Sequence, residues 1–241
     1  FGNYKFLYLS PERLESDWIL ERIKNLPINL IAIDEAHCVS QWGHDFRPAY
    51  LKISHLKNHF PKVPFVALTA TATPRVQEDI ITQLGLEQPV VFKKSFAREN
   101  IAYMVFEVED KLYRVEQILR KNPEPCIIYV RNRKSCLDIS HQLQTLGFKA
   151  TYYHGGLTSK EKDKNMQLWM REEVQIMVAT NAFGMGIDKA NVKTVIHIQL
   201  PENLENYYQE AGRAGRNGDK AFAVILTSSS DIFQAKDQSI P

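Results

Sequence analysis

The chain has 241 residues, enough for one large domain or two of ordinary size. Its hydrophobic content of 44% and charged content of 24% are typical of a soluble globular protein. Lysine and arginine (30) barely outnumber aspartate and glutamate (28), so the net charge of +2 excludes a strongly basic chain. Any site for a polyanion must therefore come from local clustering of charge.

The cysteines and the lack of long apolar runs further narrow the classes of protein to which this chain could belong. Cys38, Cys126 and Cys136 form no Cys-x-x-Cys pair, which favours reduced intracellular thiols and argues against a zinc site in this chain. No apolar run approaches the length of a membrane span, and no signal peptide is visible. We therefore expect no membrane association.

Apolar runs alternate with helix signals along the whole chain. In the first half the pattern predicts a buried strand over 5–9, a helix starting at Ser10-Pro11, a helix over 18–25, strands over 30–33 and 63–68, and a helix over 74–84. In the second half it predicts strands over 126–130, 150–153, 175–179, 194–198 and 221–226, and helices over 111–120, up to Gly147, over 161–170 and over 203–211. This alternation indicates βαβ units and hence an α/β fold with parallel sheets. The polar stretch 93–100 is predicted to link a first lobe over 1–97 to a second lobe over 98–241.

Two carboxylates, Asp34 and Glu35, directly follow the apolar run Leu30-Ile31-Ala32-Ile33. Such a run is typical of a buried strand in a parallel sheet, and open α/β sheets bind ligands at the carboxyl ends of their strands. Adjacent acids are unfavourable to desolvate unless something there needs negative charge, and Mg²⁺ carrying a nucleoside triphosphate meets that need. The alternative is a strand that merely ends in two acids.

A stretch rich in glycine and arginine, Gln209-Glu210-Ala211-Gly212-Arg213-Ala214-Gly215-Arg216-Asn217-Gly218, overlaps the end of the last predicted helix. Arginine is permanently charged and binds phosphate oxygens in pairs, so Arg213 and Arg216 suit a γ-phosphoryl group. The two side chains share one helical face if the helix continues that far. The alternative is a glycine-rich loop with two solvated arginines.

Two further strand ends carry small or flexible residues. Gly184 and Gly186 permit a tight turn or a close approach of the backbone to a ligand, and Asp188 suits a ribose hydroxyl. An ordinary βα turn is the alternative there. Thr69 and Thr71 follow another strand, where their hydroxyls either link two sites or cap the next helix.

The stretch 40–50 interleaves aromatic and polar side chains. Trp42 and Phe46 offer faces for base stacking, which is worth about 1–3 kcal/mol per base, and His44 and Arg47 lie beside them. The alternative is that these aromatic residues belong to the core. Buried aromatic residues are more often core, but so polar a loop would bury them poorly, so both interpretations stay open.

A basic cluster, Arg131, Arg133 and Lys134, follows the strand over 126–130, where it suits either a phosphate backbone or plain solvation. The order of the motifs is more informative than any one of them. Acids at one strand end, Thr-Ala-Thr at the next, a hinge, and then Gly-x-Gly-x-Asp and Gly-Arg-x-Gly-Arg predict a cleft between two sheets in which the acids face the arginines.

This order of motifs resembles that of superfamily 2 helicases, and specifically the RecQ family. Asp34-Glu35-Ala36-His37 resembles motif II, Thr69-Ala70-Thr71 resembles motif III, and 127–136, 178–188 and 208–218 resemble motifs IV, V and VI. Ser40-Gln41-Trp42-Gly43-His44-Asp45-Phe46-Arg47-Pro48 is similar to the aromatic-rich loop that follows motif II in RecQ proteins. The resemblance extends from about Leu7 to Leu226. It implies two RecA-like parallel-sheet lobes, the first incomplete at its N-terminus.

The resemblance also implies a role for each matching residue. The roles implied at the nucleotide are Asp34 holding Mg²⁺ through water, Glu35 orienting or deprotonating the attacking water, Arg216 as arginine finger with Arg213 beside it, and Gln209, Gly186 and Asp188 contacting the nucleotide or the network between the lobes. The roles implied at DNA are coupling by His37, Thr69 and Thr71, sensing of single strands by Trp42, His44, Phe46 and Arg47, and backbone contact by Arg133.

The activity implied by the resemblance is that of an ATP-dependent DNA helicase. Such a protein uses ATP and Mg²⁺, moves 3′ to 5′ on single-stranded DNA, and unwinds partly duplex DNA in repair and recombination. It would act inside the cell, in the cytoplasm or nucleoid of a bacterium or the nucleus of a eukaryote. Two alternatives stay open: an RNA helicase of the DEAH or DEAD type, against which the aromatic loop argues, and a non-catalytic nucleic-acid-binding module.

The sequence departs from the family pattern in three places. It contains no Gly-Lys dipeptide, and so no Gly-x-x-x-x-Gly-Lys-Ser/Thr loop to cradle phosphates. Asn217 stands where aspartate is more usual, and Glu99 where proline is common. The start at Phe1 and the stop at Pro241 look like cuts through a longer protein. Because the phosphate cradle and its lysine are missing, we expect the isolated chain to hydrolyse ATP negligibly.

Overall fold

The computed structural model describes residues 4–43, 45–95, 97–184 and 187–238. Contacts divide the chain into two compact units, with the boundary between Lys94 and Ser95. This boundary lies three residues before the predicted one, and the lobes over 1–97 and 98–241 stay a prediction. Each unit is described by itself. No helix in the described ranges is both long enough and apolar enough to cross a membrane.

Unit 1 is built on a short parallel ladder covered by helices. Its elements are α1 (Asp17–Lys24), β1 (Ile31–Ile33), α2 (Leu56–His59), β2 (Phe65–Ala67) and α3 (Pro74–Gln83), with 3₁₀ helices over Pro11–Glu15, Ala36–Val39 and Pro48–His55. β1 pairs in parallel with β2, as the alternating pattern predicts. The core beneath this ladder joins residues from every element, including Ile33, Val39, Ile53 and Ile80.

The predicted strand over 5–9 is wrong. These residues form no strand, and the rings of Phe6 and Tyr8 are 77% and 87% exposed. Their side chains favour extended backbone, but a strand also needs a neighbour to satisfy its N–H and C=O groups. No strand in the described part of unit 1 pairs with this segment.

Unit 2 contains a six-stranded parallel sheet in the order β3-β8-β7-β4-β6-β5. Its strands are β3 (Ile101–Glu107), β4 (Cys126–Tyr129), β5 (Ala150–Tyr153), β6 (Ile176–Ala179), β7 (Thr194–His197) and β8 (Ala221–Thr227). Its helices are α4 (Lys111–Lys121), α5 (Arg133–Thr145), α6 (Ser159–Met170), α7 (Leu204–Ala211) and α8 (Ser229–Gln238). Apolar clusters cover both faces of this sheet, so the central strands β4, β6 and β7 are buried throughout.

Helix starts in unit 2 are fixed by side-chain caps. Side chains at the N-cap accept a hydrogen bond from the backbone N–H three residues later in α4, α5, α6 and α7, and the capping residues are Asp110, Asn132, Thr158 and Asn203. At α6 the Glu161 carboxylate also accepts from the backbone of Thr158, which completes a capping box. Each such cap contributes about 1 kcal/mol.

Two elements of unit 2 were not predicted. β3 pairs with β8 at the edge of the sheet and leaves Tyr103 and Val105 exposed, so it lacks the continuous burial of a central strand. The sequence Ile101-Ala102-Tyr103-Met104-Val105-Phe106-Glu107 shows no clean alternation that would have revealed an edge strand. α8 begins after Ser228 and also lay outside the predicted elements.

The core of unit 2 yields the first testable prediction. Leu143 on α5 is fully buried, whereas Leu137 on the same helix is 42% exposed. We expect Leu143→Ala to lower the free energy of unfolding of unit 2 by about 2–5 kcal/mol, because it leaves a cavity. Leu137→Ala is the matched control and should change it by well under half as much. Urea titrations followed by circular dichroism measure both, and equal effects of the two substitutions would contradict the packing described here.

Candidate functional site

In unit 1 the two carboxylates occupy the turn that leaves β1. Asp34 is exposed, and its Oδ1 accepts a hydrogen bond of 2.9 Å from the backbone N–H of Glu35. Glu35 adopts a left-handed backbone conformation with φ 49° and ψ 43°, which costs an L-residue about 1–2 kcal/mol. The N–H of Ala36 then donates to the carbonyl of Leu68 at 2.9 Å and ties the turn to the end of β2.

A buried histidine joins this turn to the threonines after β2. His37 is 2% exposed, and its Nδ1 lies 3.0 Å from Oγ1 of Thr69 and 3.3 Å from Oε2 of Glu35. The Thr69 hydroxyl in turn accepts a hydrogen bond of 3.3 Å from the backbone N–H of Thr71. Four of the predicted site residues are therefore in one network. The His37 ring lies between the Glu35 carboxylate and the threonines.

The loop after His37 presents Trp42 at the surface. The indole is 60% exposed, and the guanidinium carbon of Arg75 lies 3.3 Å from its ring centroid. The alternative that Trp42 belongs to the core is therefore wrong. Phe46 is half-buried, and Arg47 donates two hydrogen bonds, of 2.7 and 3.2 Å, to Oδ2 of Asp45. The predicted residue His44 lies outside the described residues.

A cluster of possible metal ligands lies under this loop. One ligand atom from each of His37, Cys38 and Asp45 falls within 4.8 Å of the other two. Burial, followed by the negative charge of Asp45, raises the pKa of the Cys38 thiol to about 12. A metal binds the thiolate form of cysteine, which the raised pKa of Cys38 disfavours. The Asp45 carboxylate is already bound by Arg47, and this hydrogen bond holds the pKa of Asp45 below its usual value. This donor set therefore does not favour zinc, and the absence of zinc from the chain stays a prediction.

In unit 2 the two arginines follow the end of α7. The helix ends at Ala211, so Arg213 and Arg216 lie in the turns after it and do not share a helical face. Nη1 of Arg216 donates to the carbonyl of Ile187 at 3.0 Å and to Oδ1 of Asp188 at 3.1 Å. The structure thus brings Arg216 and the predicted residue Asp188 together.

Arg213 packs against the loop that follows β6. A Cβ added to Gly184 would lie 2.8 Å from its Nη2, so the guanidinium packs closely on this glycine and would have to shift for a larger residue. The Arg213 side chain is half-buried. Gln209 is half-buried on α7, and this residue is not without an interaction partner. The predicted residue Gly186 lies outside the described residues.

Arg133 is separate from these groups and lies on the first turn of α5. Its side chain is exposed and covers Gly156, because an added Cβ there would lie 2.7 Å from Nη1 of Arg133. The neighbouring Arg131 is held by hydrogen bonds to Gln199 and to the carbonyl of Leu200. All three residues of the predicted basic cluster are exposed, and Arg131 is the one held by these hydrogen bonds.

Sequence reasoning missed Arg98, which it assigned to the linker. The guanidinium of Arg98 donates to three carbonyl oxygens of the turn that carries the arginines, those of Gly212, Ala214 and Gly215, at 3.0–3.2 Å. Asn100 adds a hydrogen bond of 2.7 Å to the carbonyl of Gly215. These contacts join positions more than a hundred residues apart, so no local pattern revealed them.

Two family models match the chain. The model described as DEAD/DEAH box helicase matches residues 1–80, and the one described as helicase conserved C-terminal domain matches residues 110–218. Both matches contain motifs whose geometry is given above: the acidic turn and the threonines in the first, and the arginine-bearing turn in the second.

Named relatives are similar over nearly the whole chain. The ATP-dependent DNA helicase RecQ of Bacillus subtilis (strain 168) is 43% identical over 234 residues, which cover 96% of this chain and 40% of that protein. The ATP-dependent DNA helicase Q-like 4B of Arabidopsis thaliana is 43% identical over 243 residues, which cover 98% of this chain and 21% of that protein. The chain thus spans less than half the length of these relatives.

Solved structures agree on the fold. Dbp5 of S. cerevisiae bound to RNA and ADP BeF3 matches with a TM-score of 0.69 at 21% identity, covering 91% of this chain and 59% of that one. A DEAD box protein from Methanococcus jannaschii matches with a TM-score of 0.57 at 23% identity, covering 95% of this chain and 61% of that one. The prediction of an α/β fold with RecA-like parallel sheets is confirmed. Together with the similarity of the relatives, the two family models establish that the chain belongs to the RecQ family of superfamily 2 helicases.

Proposed function

We propose that the protein containing this chain is an ATP-dependent DNA helicase. It couples hydrolysis of ATP to movement along single-stranded DNA and to separation of the duplex, in the 3′-to-5′ direction and in repair or recombination, as its family implies. The observation that carries this proposal is the His37 network of unit 1. One buried ring contacts the Glu35 carboxylate and Thr69, and the loop that directly follows it exposes Trp42.

The carboxylates of unit 1 suit a magnesium-bound nucleotide. Asp34 offers hard oxygen ligands at an exposed strand end, which fits an ion that keeps several of its waters. In our proposal Asp34 holds Mg²⁺ through water, and the ion, when bound, neutralises charge on the phosphates. Glu35 orients the attacking water and accepts its proton.

The arginine-bearing turn of unit 2 suits the charge that develops on a γ-phosphoryl group. We assign Arg216 as the arginine finger, with Arg213 as a second positive charge, and such a finger is worth about 10³–10⁵ in rate. Asp188 holds Arg216 in the described conformation through a salt bridge of 3.1 Å. Because that contact is exposed, it exchanges readily for a phosphate. Gln209, Gly186 and Asp188 are proposed to contact the nucleotide or the network around it.

Single-stranded DNA is the proposed partner of the aromatic loop. Trp42 and Phe46 stack on bases, and Arg47 and His44 contribute positive or polar contacts, while Arg133 in unit 2 contacts a phosphate. His37, Thr69 and Thr71 relay the presence of DNA to Glu35. Duplexes of matched sequence in DNA and in RNA test the choice of nucleic acid. Strand displacement of the RNA duplex at an equal or higher rate would identify an RNA helicase instead.

Trp42 gives the second prediction, which, like the third, is measured in the longer protein that carries the phosphate-binding loop. Trp42→Ala should lower the affinity for single-stranded DNA about tenfold through lost stacking, and should largely abolish the stimulation of ATP hydrolysis by DNA. Nucleotide affinity should stay nearly unchanged. The matched control is Trp18→Ala, which removes another indole of unit 1 that is 63% exposed and lies under an arginine, Arg22. Full DNA stimulation in Trp42→Ala would return this residue to a structural role.

Arg216 gives the third prediction. Arg216→Ala should lower kcat for ATP by about 10³-fold or more, with a much smaller change in nucleotide affinity, because the finger acts mainly in the transition state. Arg216→Lys keeps the charge but loses the planar fork, so it should recover only part of the rate. Arg171→Ala, at an exposed arginine after α6, is the control for loss of charge. Wild-type kcat in Arg216→Ala would refute the assignment.

The fourth prediction concerns the 241 residues by themselves. They contain no Gly-Lys dipeptide to cradle the β- and γ-phosphates, so this chain should hydrolyse ATP negligibly with or without DNA. A phosphate-release assay with single-stranded DNA measures this directly. Turnover that matched a protein carrying the phosphate-binding loop would show that the chain holds the phosphates in another way.

A further inference from the structure

A buried polar pair that sequence reasoning did not single out joins β7 to α7. His197, the last residue of β7, is 2% exposed, and its Nε2 lies 2.7 Å from Oε2 of Glu210 on α7. The Glu210 side chain is itself only 14% exposed. A buried carboxylate is unfavourable unless a donor meets it, and a carboxylate only accepts, so Nε2 carries the proton in this contact. The last turn of α7 is thereby bound to the end of β7.

Tyr129, the last residue of β4, extends this pair to a second strand. Its ring stacks on His197, with centroids 5.2 Å apart and an interplanar angle of 18°. Its hydroxyl donates to the carbonyl of Phe183 at 2.9 Å, in the loop that follows β6. Burial raises the pKa of Tyr129, so the hydroxyl keeps its proton and stays a donor at neutral pH. One continuous set of contacts therefore runs from Glu210 through His197 and Tyr129 to the loop at Phe183.

Arg213 closes this set of contacts into a ring. Its backbone N–H donates to the carbonyl of Glu210 at 3.2 Å, and its Nη2 packs against Gly184, the residue after Phe183. The positive charge of Arg213 opposes the rise that burial causes in the pKa of Tyr129. Nε of Arg213 is buried and has no hydrogen-bond partner within the described ranges. The guanidinium is thus held by its packing against Gly184.

An arginine that must meet a phosphate in one direction needs such support. The free side chain carries about 2 kcal/mol of rotamer entropy, and a functional group must be held to within about 0.5 Å of its working position. The ring of contacts supplies two fixed walls for Arg213. One is the loop backbone at Gly184, next to the Phe183 carbonyl that the Tyr129 hydroxyl binds. The other is the last turn of α7, where the Glu210 carbonyl accepts from the N–H of Arg213 and the Glu210 carboxylate contacts His197.

We propose that Tyr129, His197 and Glu210 are positioning residues that hold the Arg213 guanidinium against the Gly184 loop. The target of the guanidinium, a nucleotide phosphate, rests on the function proposed above. The bracing itself does not, because it is a property of unit 2 in the absence of any ligand. The two statements are therefore tested by different measurements.

Hydrogen exchange at Arg213 Nε tests the bracing without ATP. Because this N–H is buried, its signal in a nitrogen–proton correlation spectrum of the 241-residue chain should exchange slowly with water, and its loss in Arg213→Lys assigns it. Glu210→Ala and His197→Ala should each speed that exchange about tenfold, in line with ordinary coupling between contacting residues. Glu205→Ala, on the first turn of the same helix, is the matched control and should leave it unchanged.

Two milder variants separate positioning from a general loss of structure. Glu210→Gln keeps an oxygen that accepts from His197 Nε2. The exchange at Arg213 Nε in this variant should therefore stay nearly as slow as in the wild type, and its unfolding midpoint should match that of the wild type. Tyr129→Phe keeps the stacking ring and removes only the hydroxyl, so it should speed the exchange in a folded chain. Wild-type exchange in Tyr129→Phe, or in a folded Glu210→Ala variant, would overturn the proposal.

An activity measurement in the protein that carries the phosphate-binding loop completes the test. Glu210→Ala should lower kcat for ATP by about ten- to a hundredfold and change KM much less. The reason is that a misplaced Arg213 guanidinium stabilises the transition state less well. If the wild-type protein does not hydrolyse ATP, the proposed function fails while the exchange result still decides the bracing. If it does hydrolyse ATP and Glu210→Ala matches it in kcat, the positioning role fails alone.

Discussion

The parallel pairing of β4 with β6 on one side and β7 on the other is the constraint on which unit 2 depends. The register sets Tyr129 opposite both Ala179 and His197, so all three strands end at the same level. Buried strands of this kind are continuous apolar runs, and their first polar groups appear only where the strands end. A slip of one residue would turn His197 to the opposite face of the sheet and break its contact with Glu210. The polar edge of unit 2 is thus a consequence of backbone register.

Unit 1 follows the same logic with much less sheet. Its two strands share three paired positions, yet the ladder continues past them, since the N–H of Leu68 donates to the carbonyl of Ile33 and the N–H of Ala36 to the carbonyl of Leu68. Those two bonds set the distance between the turn after β1 and the turn after β2. The contact of His37 with Thr69 is possible only at that distance. Local strand pairing therefore determines which catalytic candidates meet.

Sequence patterns were sufficient for the central strands and for the capped helices, because both depend on neighbours in the chain. They failed for the segment over 5–9 and for β3, because strand formation there depends on whether a partner edge is present. For the site, the placement of Asp34 and Glu35 at a strand end was predictable from the apolar run before them. The three hydrogen bonds from Arg98, and the pairing of His197 with Glu210, were not. Both sets of contacts arise from tertiary packing. The sequence around Arg98 looks like that of an ordinary linker, and the sequence around His197 looks like that of an ordinary strand.

The left-handed backbone at Glu35 has a consequence for how this chain tolerates change. Glycine adopts that conformation without strain, so a glycine at this position would relieve a local tension that the present residue sustains. In the proposed function a glycine here would also lower the catalytic activity, since the chain would lack the carboxylate that contacts His37. Selection for stability would therefore favour glycine at this position, whereas selection for the proposed catalytic role would favour glutamate. Proteins descended from this chain that keep glutamate at this position would then be expected to be active enzymes. Those with glycine there would be expected to have lost catalytic activity.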